Sequence, residues 1–434
     1  MVSRRIFRAV AILTSAVGLL ALSGCGLAYR AATGQPERAG TPTPPAPLTA
    51  EEKAWARNAW RYFAENDNAA TGLVNSVDQY PTATAWEMAD TIAALIAARD
   101  LGLLPAAAAQ ERLARILAFA GRMELAYGRL PNRVYNAATG VAAIDADHPG
   151  NAGWSAVDTG RLLVWLRALA DREPALASAA RAVVARFDLC AAIGADGGLT
   201  GGAPAGPAPA RYREAGRGYE DYAAAGYRLW GMPARPPRLS DPVVKVDGVG
   251  FVSAVPDHAN EFTPVVTGDS VLQGLEFGWA APATGDMAKR ARSVELAQRT
   301  RMLQEGVATA RNDYLRSTAP YFLYGTVVAS GRPWAVLTPE GTETSSLALV
   351  SAKAALGLWA FWPERWNDLV ARLAPLSTAR GWQEGIYEAS GKAETVLSAS
   401  TNAVILEVLA YRARGPLLTA LSSEPARTCA ASAP

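Results

Sequence analysis

Histidine and cysteine are scarce in this chain. Its 434 residues hold two His, His148 and His258, and three Cys. Neither His stands in a His/Cys cluster, so a zinc site or a histidine-based triad has little to be built from. Three Cys are too few for a disulfide scaffold. An excess of charge is lacking too. Lys and Arg number 42 against 40 Asp and Glu, a formal balance of +2, without the basic surplus of a nucleic-acid binder. No repeat of fixed period appears, which argues against an open solenoid. Strand and helix patterns do not alternate, which argues against a Rossmann or TIM fold. What is present is a globular composition, 50% hydrophobic and 19% charged, long enough to bury a core.

The N-terminus reads as an export signal. Arg4, Arg5 and Arg8 precede an apolar stretch through Leu22 that is short for a membrane span. It ends in Leu22-Ser23-Gly24-Cys25, the pattern of a bacterial lipobox, so Cys25 is the expected lipidation site and residues 1–25 the lipoprotein signal. Gly26 follows rather than Asp, which favours the outer membrane. Without the signal the chain has 39 basic and 40 acidic residues; the small basic excess belongs to export. Residues 26–49 include Thr41-Pro42-Thr43-Pro44-Pro45-Ala46-Pro47, an extended spacer rather than a helix. Cys190 and Cys429 remain. They either pair in an oxidising compartment or stay apart as isolated thiols.

From Leu48 onward the periodicity is mainly helical. Twelve helices are predicted, near 50–66, 84–101, 105–120, 154–171, 173–190, 217–230, 269–279, 285–304, 318–326, 345–360, 364–375 and 399–413. The first has Thr49 as N-cap, Glu52 at the capping-box position, and Trp55, Ala59, Tyr62 and Phe63 on one face. Residues 243–255 alternate enough for a short β-hairpin. Helices in sequential antiparallel pairs suggest an all-α domain over residues 50–420, an (α/α)6 toroid with long loops at one end, followed by a tail at 421–434; a plain irregular bundle would give the same helix count.

The chemistry on offer is carboxylates and aromatics, with 12 Trp and 14 Tyr. Carbohydrate sites combine the two: rings cover the apolar face of a sugar while acids bind hydroxyls or move protons. Three segments stand out. In the loop 66–81, Asp78 lies beside Tyr80 and ahead of Trp86, Glu87 and Asp90; on spacing alone a turn former or local cap is the plainer account of Asp78, and dipole partners of an early helix turn explain Glu87 and Asp90. In 211–222, Glu214 is in a loop and Glu220 opens a helix beside Tyr219, with Arg213 and Arg217 near enough to hold either acid ionised; on spacing alone, first-turn acids that complement the helix dipole are the plainer account. In 381–391, glycines bound a loop in which Trp382, Glu384, Ile386 and Glu388 share a side if the chain is extended, with Tyr387 between them.

At these segments the sequence resembles a bacterial family known as domain of unknown function 3131. The resemblance rests on Thr71-Gly72-Leu73-Val74, Val77-Asp78-Gln79-Tyr80-Pro81, Leu130-Pro131-Asn132, Gly153-Trp154-Ser155-Ala156-Val157-Asp158, Gly218-Tyr219-Glu220-Asp221-Tyr222-Ala223 and Leu275-Glu276-Phe277-Gly278, with the Gly381–Glu388 loop. That family looks like a distant relative of the glycoamylase-like and β-1,2-glucanase group, whose fold is an (α/α)6 toroid. At the place of Glu388 those relatives more often carry Asp. The resemblance implies a glycan-active envelope lipoprotein, a glycoside hydrolase of a bacterial polysaccharide or oligosaccharide. Glu220 is the expected acid, Asp78 and Glu388 the expected bases, and Glu214 and Glu384 the reserves. Tyr80, Trp86, Tyr219, Trp382 and Tyr387 are the expected sugar-facing aromatics. No metal or cofactor is called for. The expected partners are a carbohydrate and, through Cys25, a membrane. The alternative is a non-catalytic glycan-binding or polysaccharide export-accessory lipoprotein. A polysaccharide lyase would need a Tyr or His base and a positive subsite, which two His and a mature charge near zero disfavour.

Overall fold

A computed structural model of the chain describes residues 44–214, 218–235, 243–252, 264–279 and 285–429. Residues 1–43, with Cys25 and most of the expected leader and spacer, and also Arg217 and His258, lie outside the described residues. Eleven α-helices are present among those described: α1 (Ala50–Glu65), α2 (Ala85–Asp100), α3 (Ala106–Ala120), α4 (Ala156–Arg172), α5 (Ala177–Ala185), α6 (Tyr219–Leu229), α7 (Gly268–Glu276), α8 (Gly285–Glu305), α9 (Ala352–Phe361), α10 (Pro363–Leu373) and α11 (Ala399–Arg414).

The first helix starts as the sequence predicts. The Glu52 amide donates to the Thr49 hydroxyl, and the Thr49 amide donates to the Glu52 carboxylate at 2.7 Å. Trp55, Ala59, Tyr62 and Phe63 are buried. Thr84 and Glu87 open α2 with the same reciprocal pair.

Six helices, α2, α4, α6, α7, α9 and α11, each pack on the next, and α11 packs back on α2, closing an inner ring. Helices α1, α3, α5, α8 and α10 lie against its outside. Small residues let the inner helices approach. A Cβ at Gly226 of α6 would fall on the Gly160 carbonyl of α4, and one at Gly160 would overlap Ala223.

The described part of the fold is not all-α. The expected helix at 318–326 is instead a strand, Phe322–Gly325, paired antiparallel with Asp313–Leu315 and Val336–Leu337. An aromatic run bounded by Pro320 and Gly325 suits a pleated strand, and ladder partners on both sides supply its hydrogen bonds. The expected helix at 345–360 begins only at Ala352, after a strand Leu349–Ser351. The one expected at 173–190 is α5 followed by a 3-10 turn, Leu189–Ala192. The hairpin expected near 243–255 is present as Val243–Val246 and Val249–Val252. The glycine-bounded loop is a second hairpin, Gly381–Tyr387 with Ala393–Leu397. Short strands such as Thr82–Ala83, Thr200–Ala203, Ala210–Arg213 and Leu349–Ser351 precede inner helices along the chain, so they gather at the end of the ring where those helices begin.

The C-terminal tail crosses the opposite end. The Leu418 amide donates to the Glu276 carbonyl, Glu424 to Leu229 and Arg427 to Gly231. Cys429 then forms a disulfide with Cys190, their Cα atoms 5.5 Å apart. No helix of the described residues is long and apolar enough to cross a membrane.

Candidate functional site

The first turns of the inner helices carry a cluster of acids, bases and aromatics. Trp86 and Glu87 come from α2, Asp158 from α4, Tyr219 from α6, Lys353 from α9 and Ser400 from α11. Loop residues Arg133, Tyr212 and Glu214 complete one side. Asp313 and Tyr324, opposite each other on adjacent strands, complete the other. All of these except Lys353 keep part of their surface open although they lie in the middle of the ring's end, the condition of groups on the floor of a cleft.

Contacts tie the two sides together. The Trp86 and Tyr219 rings meet edge to face with centroids 5.2 Å apart. The Tyr219 hydroxyl donates to Asp313 Oδ1 at 2.5 Å, and Lys353 Nζ donates to Asp313 Oδ2 at 2.9 Å and to Ser400 Oγ at 3.2 Å. Burial works against the Lys353 ammonium, but the charges of Asp313 and Glu384 outweigh it and hold its pKa above the ordinary value. The Tyr324 hydroxyl is pushed up by burial and then by Asp313, Glu214 and Asp158, while Arg133 opposes. It therefore marks where the two sides meet.

Asp158 is the distinctive acid. A carboxylate in the first turn of a helix is normally stabilised in its charged form by free backbone amides and the helix dipole. Here Glu214 takes that place: its carboxylate accepts from Ser155 Oγ at 2.7 Å and from the Ala156 and Val157 amides. Asp158 is left with burial and the neighbouring negative charges of Glu214 and Glu87, which push its pKa up to about 7 against the pull of Arg133. Glu214 and Glu87 are also raised, in both cases chiefly by burial.

The residues singled out from sequence separate into several places. Glu214 adjoins Asp158, and Trp86 and Tyr219 lie in the cluster. Glu384 is fully buried behind it; it accepts from the Ser398 hydroxyl and from Thr401 Oγ1 at 3.0 Å, and burial raises its pKa against the pull of Lys353. Glu220 is buried under the Thr200–Ala203/Ala210–Arg213 hairpin, where it accepts from the Leu199 amide and lies 3.8 Å from Arg213. Asp78 accepts from Asn66 and is ion-paired with Arg380 at 2.6 Å. Glu388 is held by Arg311 at 2.9 Å and Arg301 at 3.3 Å, both guanidiniums facing the Trp334 ring. Trp382 is buried edge to face with Trp55, and Tyr387 hydrogen-bonds Glu394 and Arg316. Tyr80 is exposed, its hydroxyl near the Ala146 amide. The sequence reading passed over Asp158, Arg133, Tyr212, Asp313, Tyr324 and Lys353 as site candidates. Of these, Asp158 and Tyr212 lie in segments marked above.

Comparison with known proteins agrees with this architecture. The chain belongs to the family described as protein of unknown function (DUF3131), whose model matches residues 54–415. No curated protein matches the sequence. Among solved structures it is similar to an endo-β-1,2-glucanase from Chitinophaga pinensis solved with sophorotriose and glucose, at 13% identity and a TM-score of 0.64, covering 86% of this chain and 94% of that one. A glucoamylase-like protein from Bacteroides caccae gives 14% identity and a TM-score of 0.61 over 85% and 94% of the two chains. An endo-β-1,2-glucanase from Talaromyces funiculosus in complex with β-1,2-glucan gives 13% and 0.55 over 85% and 84%. The fold is thus that of glucoamylase-like toroid proteins.

Proposed function

We propose that the protein is a glycoside hydrolase acting on a neutral glucan chain, with protonated Asp158 as the proton donor and Asp313 as the second carboxylate. The observation that carries this reading is the contrast between the two acids. One is pushed up to about 7 by burial and the charge of Glu214. The other has an ammonium on one oxygen and a phenol on the other. Glycosidases need one carboxylic acid that keeps its proton and one carboxylate that attacks or activates water. Trp86, Tyr219 and Tyr324 supply the flat faces around them. In this reading Glu214 sets the proton affinity of Asp158. Glu220, Asp78 and Glu388, committed to the pairs described above, brace the surrounding loops.

Incubation with β-1,2-glucan and a panel of other glucans, with product chains separated by size, tests the proposal. The wild type is expected to shorten at least one glucan, and Asp313→Asn to lose about 10²–10⁴-fold in turnover while still folding and binding glucan, with a lowered melting temperature because the buried Lys353 ammonium loses its charged partner. Glucan binding without cleavage by the wild type would instead support the export-accessory or binding reading. We further propose that the protein is held in the cell envelope through lipid on Cys25. Labelling with a radioactive fatty acid should then mark the wild type and not Cys25→Ala, and a wild type that takes up no label would refute the anchor.

A further inference from the structure

Beyond the pair Asp313 and Tyr324, the same sheet continues outward. Leu315 stands opposite Phe322 two register positions along. Side chains two residues apart on a strand share a face, so Asp313, Leu315, Phe322 and Tyr324 lie on one side. The intervening Tyr314 and Leu323 are buried on the other side in a cluster with Val336 and Leu349, which fixes the first face as the open one. Leu315 and Phe322 are only half-buried and belong to none of the buried clusters of the described residues. The Phe322 ring stands edge-on to Tyr324, at 90° with centroids 4.9 Å apart. Arg316, the next charged residue along, is turned to Tyr387 and the Pro320 carbonyl.

We infer that Leu315 and Phe322 form an outer sugar subsite that takes a further unit of a neutral glycan chain whose scissile bond lies at Asp158 and Asp313. The inference rests on the proposed hydrolase reading and extends it from a bond to a chain. Two strand residues span about 7 Å, so the shelf begins one step from Asp313 and runs away from it. It carries an aromatic and an aliphatic face and no charge, which fits the apolar side of an uncharged pyranose. The perpendicular packing against Tyr324 sets the tilt of the Phe322 ring. A substrate that reaches the shelf has several units, so the protein favours chains over disaccharides.

The test is a ladder of β-1,2-linked gluco-oligosaccharides of increasing length, used as substrates and as calorimetric ligands for wild type, Phe322→Ala and Phe322→Trp, with melting temperatures to confirm folding. Phe322→Ala should raise KM about tenfold for the longer members, as expected for the loss of one stacking ring. It should leave kcat and the shortest cleaved member unchanged, and Phe322→Trp should restore the long-chain KM. An equal effect on every length, or none, overturns the subsite. If the wild type cleaves neither a member of this ladder nor any glucan of the panel, the hydrolase reading fails separately. The subsite then stands if binding tightens with length and that gain is lost in Phe322→Ala, and it falls if binding does not depend on length or is absent.

Discussion

Asp158→Asn is expected to abolish the hydrolysis of glucan chains while keeping their binding, and to remove the alkaline limb of the activity profile. The wild-type limb should fall with a midpoint near pH 7, because the pKa of Asp158 is raised to about 7 by burial and by Glu214, and the proton it must donate is lost as pH rises through that value. The amide keeps the side-chain shape but has no such proton. The loss should be about 10²–10⁴-fold and much smaller for a substrate with an activated aryl leaving group, which departs without protonation. Glu214→Gln checks the cause of the shift. Without the negative charge of Glu214 the Asp158 pKa drops, so the limb should move to lower pH in a variant that still folds. Full activity of Asp158→Asn on glucan above pH 7 would transfer the role to another acid. An unmoved limb in Glu214→Gln would show that the limb belongs to a different group.

The reasons for missing Asp158 in the sequence are physical. Ser155 and Asp158 read as an ordinary helix start, and the Asp158 amide does donate to Ser155 Oγ at 3.0 Å. What changes the acid is burial together with the charge of Glu214, which comes from a loop 58 residues away to occupy the Ala156 amide. No local spacing encodes that. Asp313, Tyr324 and Lys353 were hidden differently. Tyr324 lay in a run taken as a helix, and only pairing with Asp313–Leu315 turns its side chain to the site. Glu388 was misleading because its partners, Arg301 and Arg311, come from distant segments. Features set by neighbouring residues were legible: the Thr49–Glu52 capping pair, the hairpin at 243–252, and the common burial of Trp382, Glu384 and Ile386 on one side of their strand. The toroid followed from counting helices, although one counted helix was a strand. Helix-like periodicity and a short aromatic strand are hard to separate without the partner strand.

Arg161→Met should cost more stability than any loss of a surface charge, about 3–5 kcal/mol at neutral pH by the usual measure for breaking a buried ion pair, and the variant should be rescued by acid. Arg161 lies under the site, its guanidinium 4.8 Å from the Trp86 ring centre. It is fully buried with three acids: Asp90 at 2.7 Å, Glu276 at 2.7 Å and Glu407 at 3.0 Å. The Tyr222 hydroxyl donates to Glu276 at 2.6 Å. One cation faces three carboxyl groups, so the network is stable only if protons make up the difference. Burial followed by the charge of Glu276 pushes Glu407 well above its ordinary value, and burial raises Asp90 as well, against the pull of Arg161. A carboxyl group raised by folding contributes stability that is complete at acid pH and is lost as pH climbs through the folded-state value. Without Arg161 the remaining acids must all be neutral to stay buried. The variant should therefore melt highest near pH 4–5 and lose structure steeply above it, with a slope larger than that of wild type. Glu407→Gln in the wild-type background should do the opposite and flatten the alkaline decline, because it replaces a group that folding keeps protonated by one that never ionises. Melting temperatures across pH for the three proteins decide the matter. A loss below about 1 kcal/mol in Arg161→Met, or a pH slope no steeper than that of wild type, would show that the arginine does not hold the acids together. If the prediction holds, the floor beneath Trp86 is kept rigid by a charge balance that the ring of inner helices encloses.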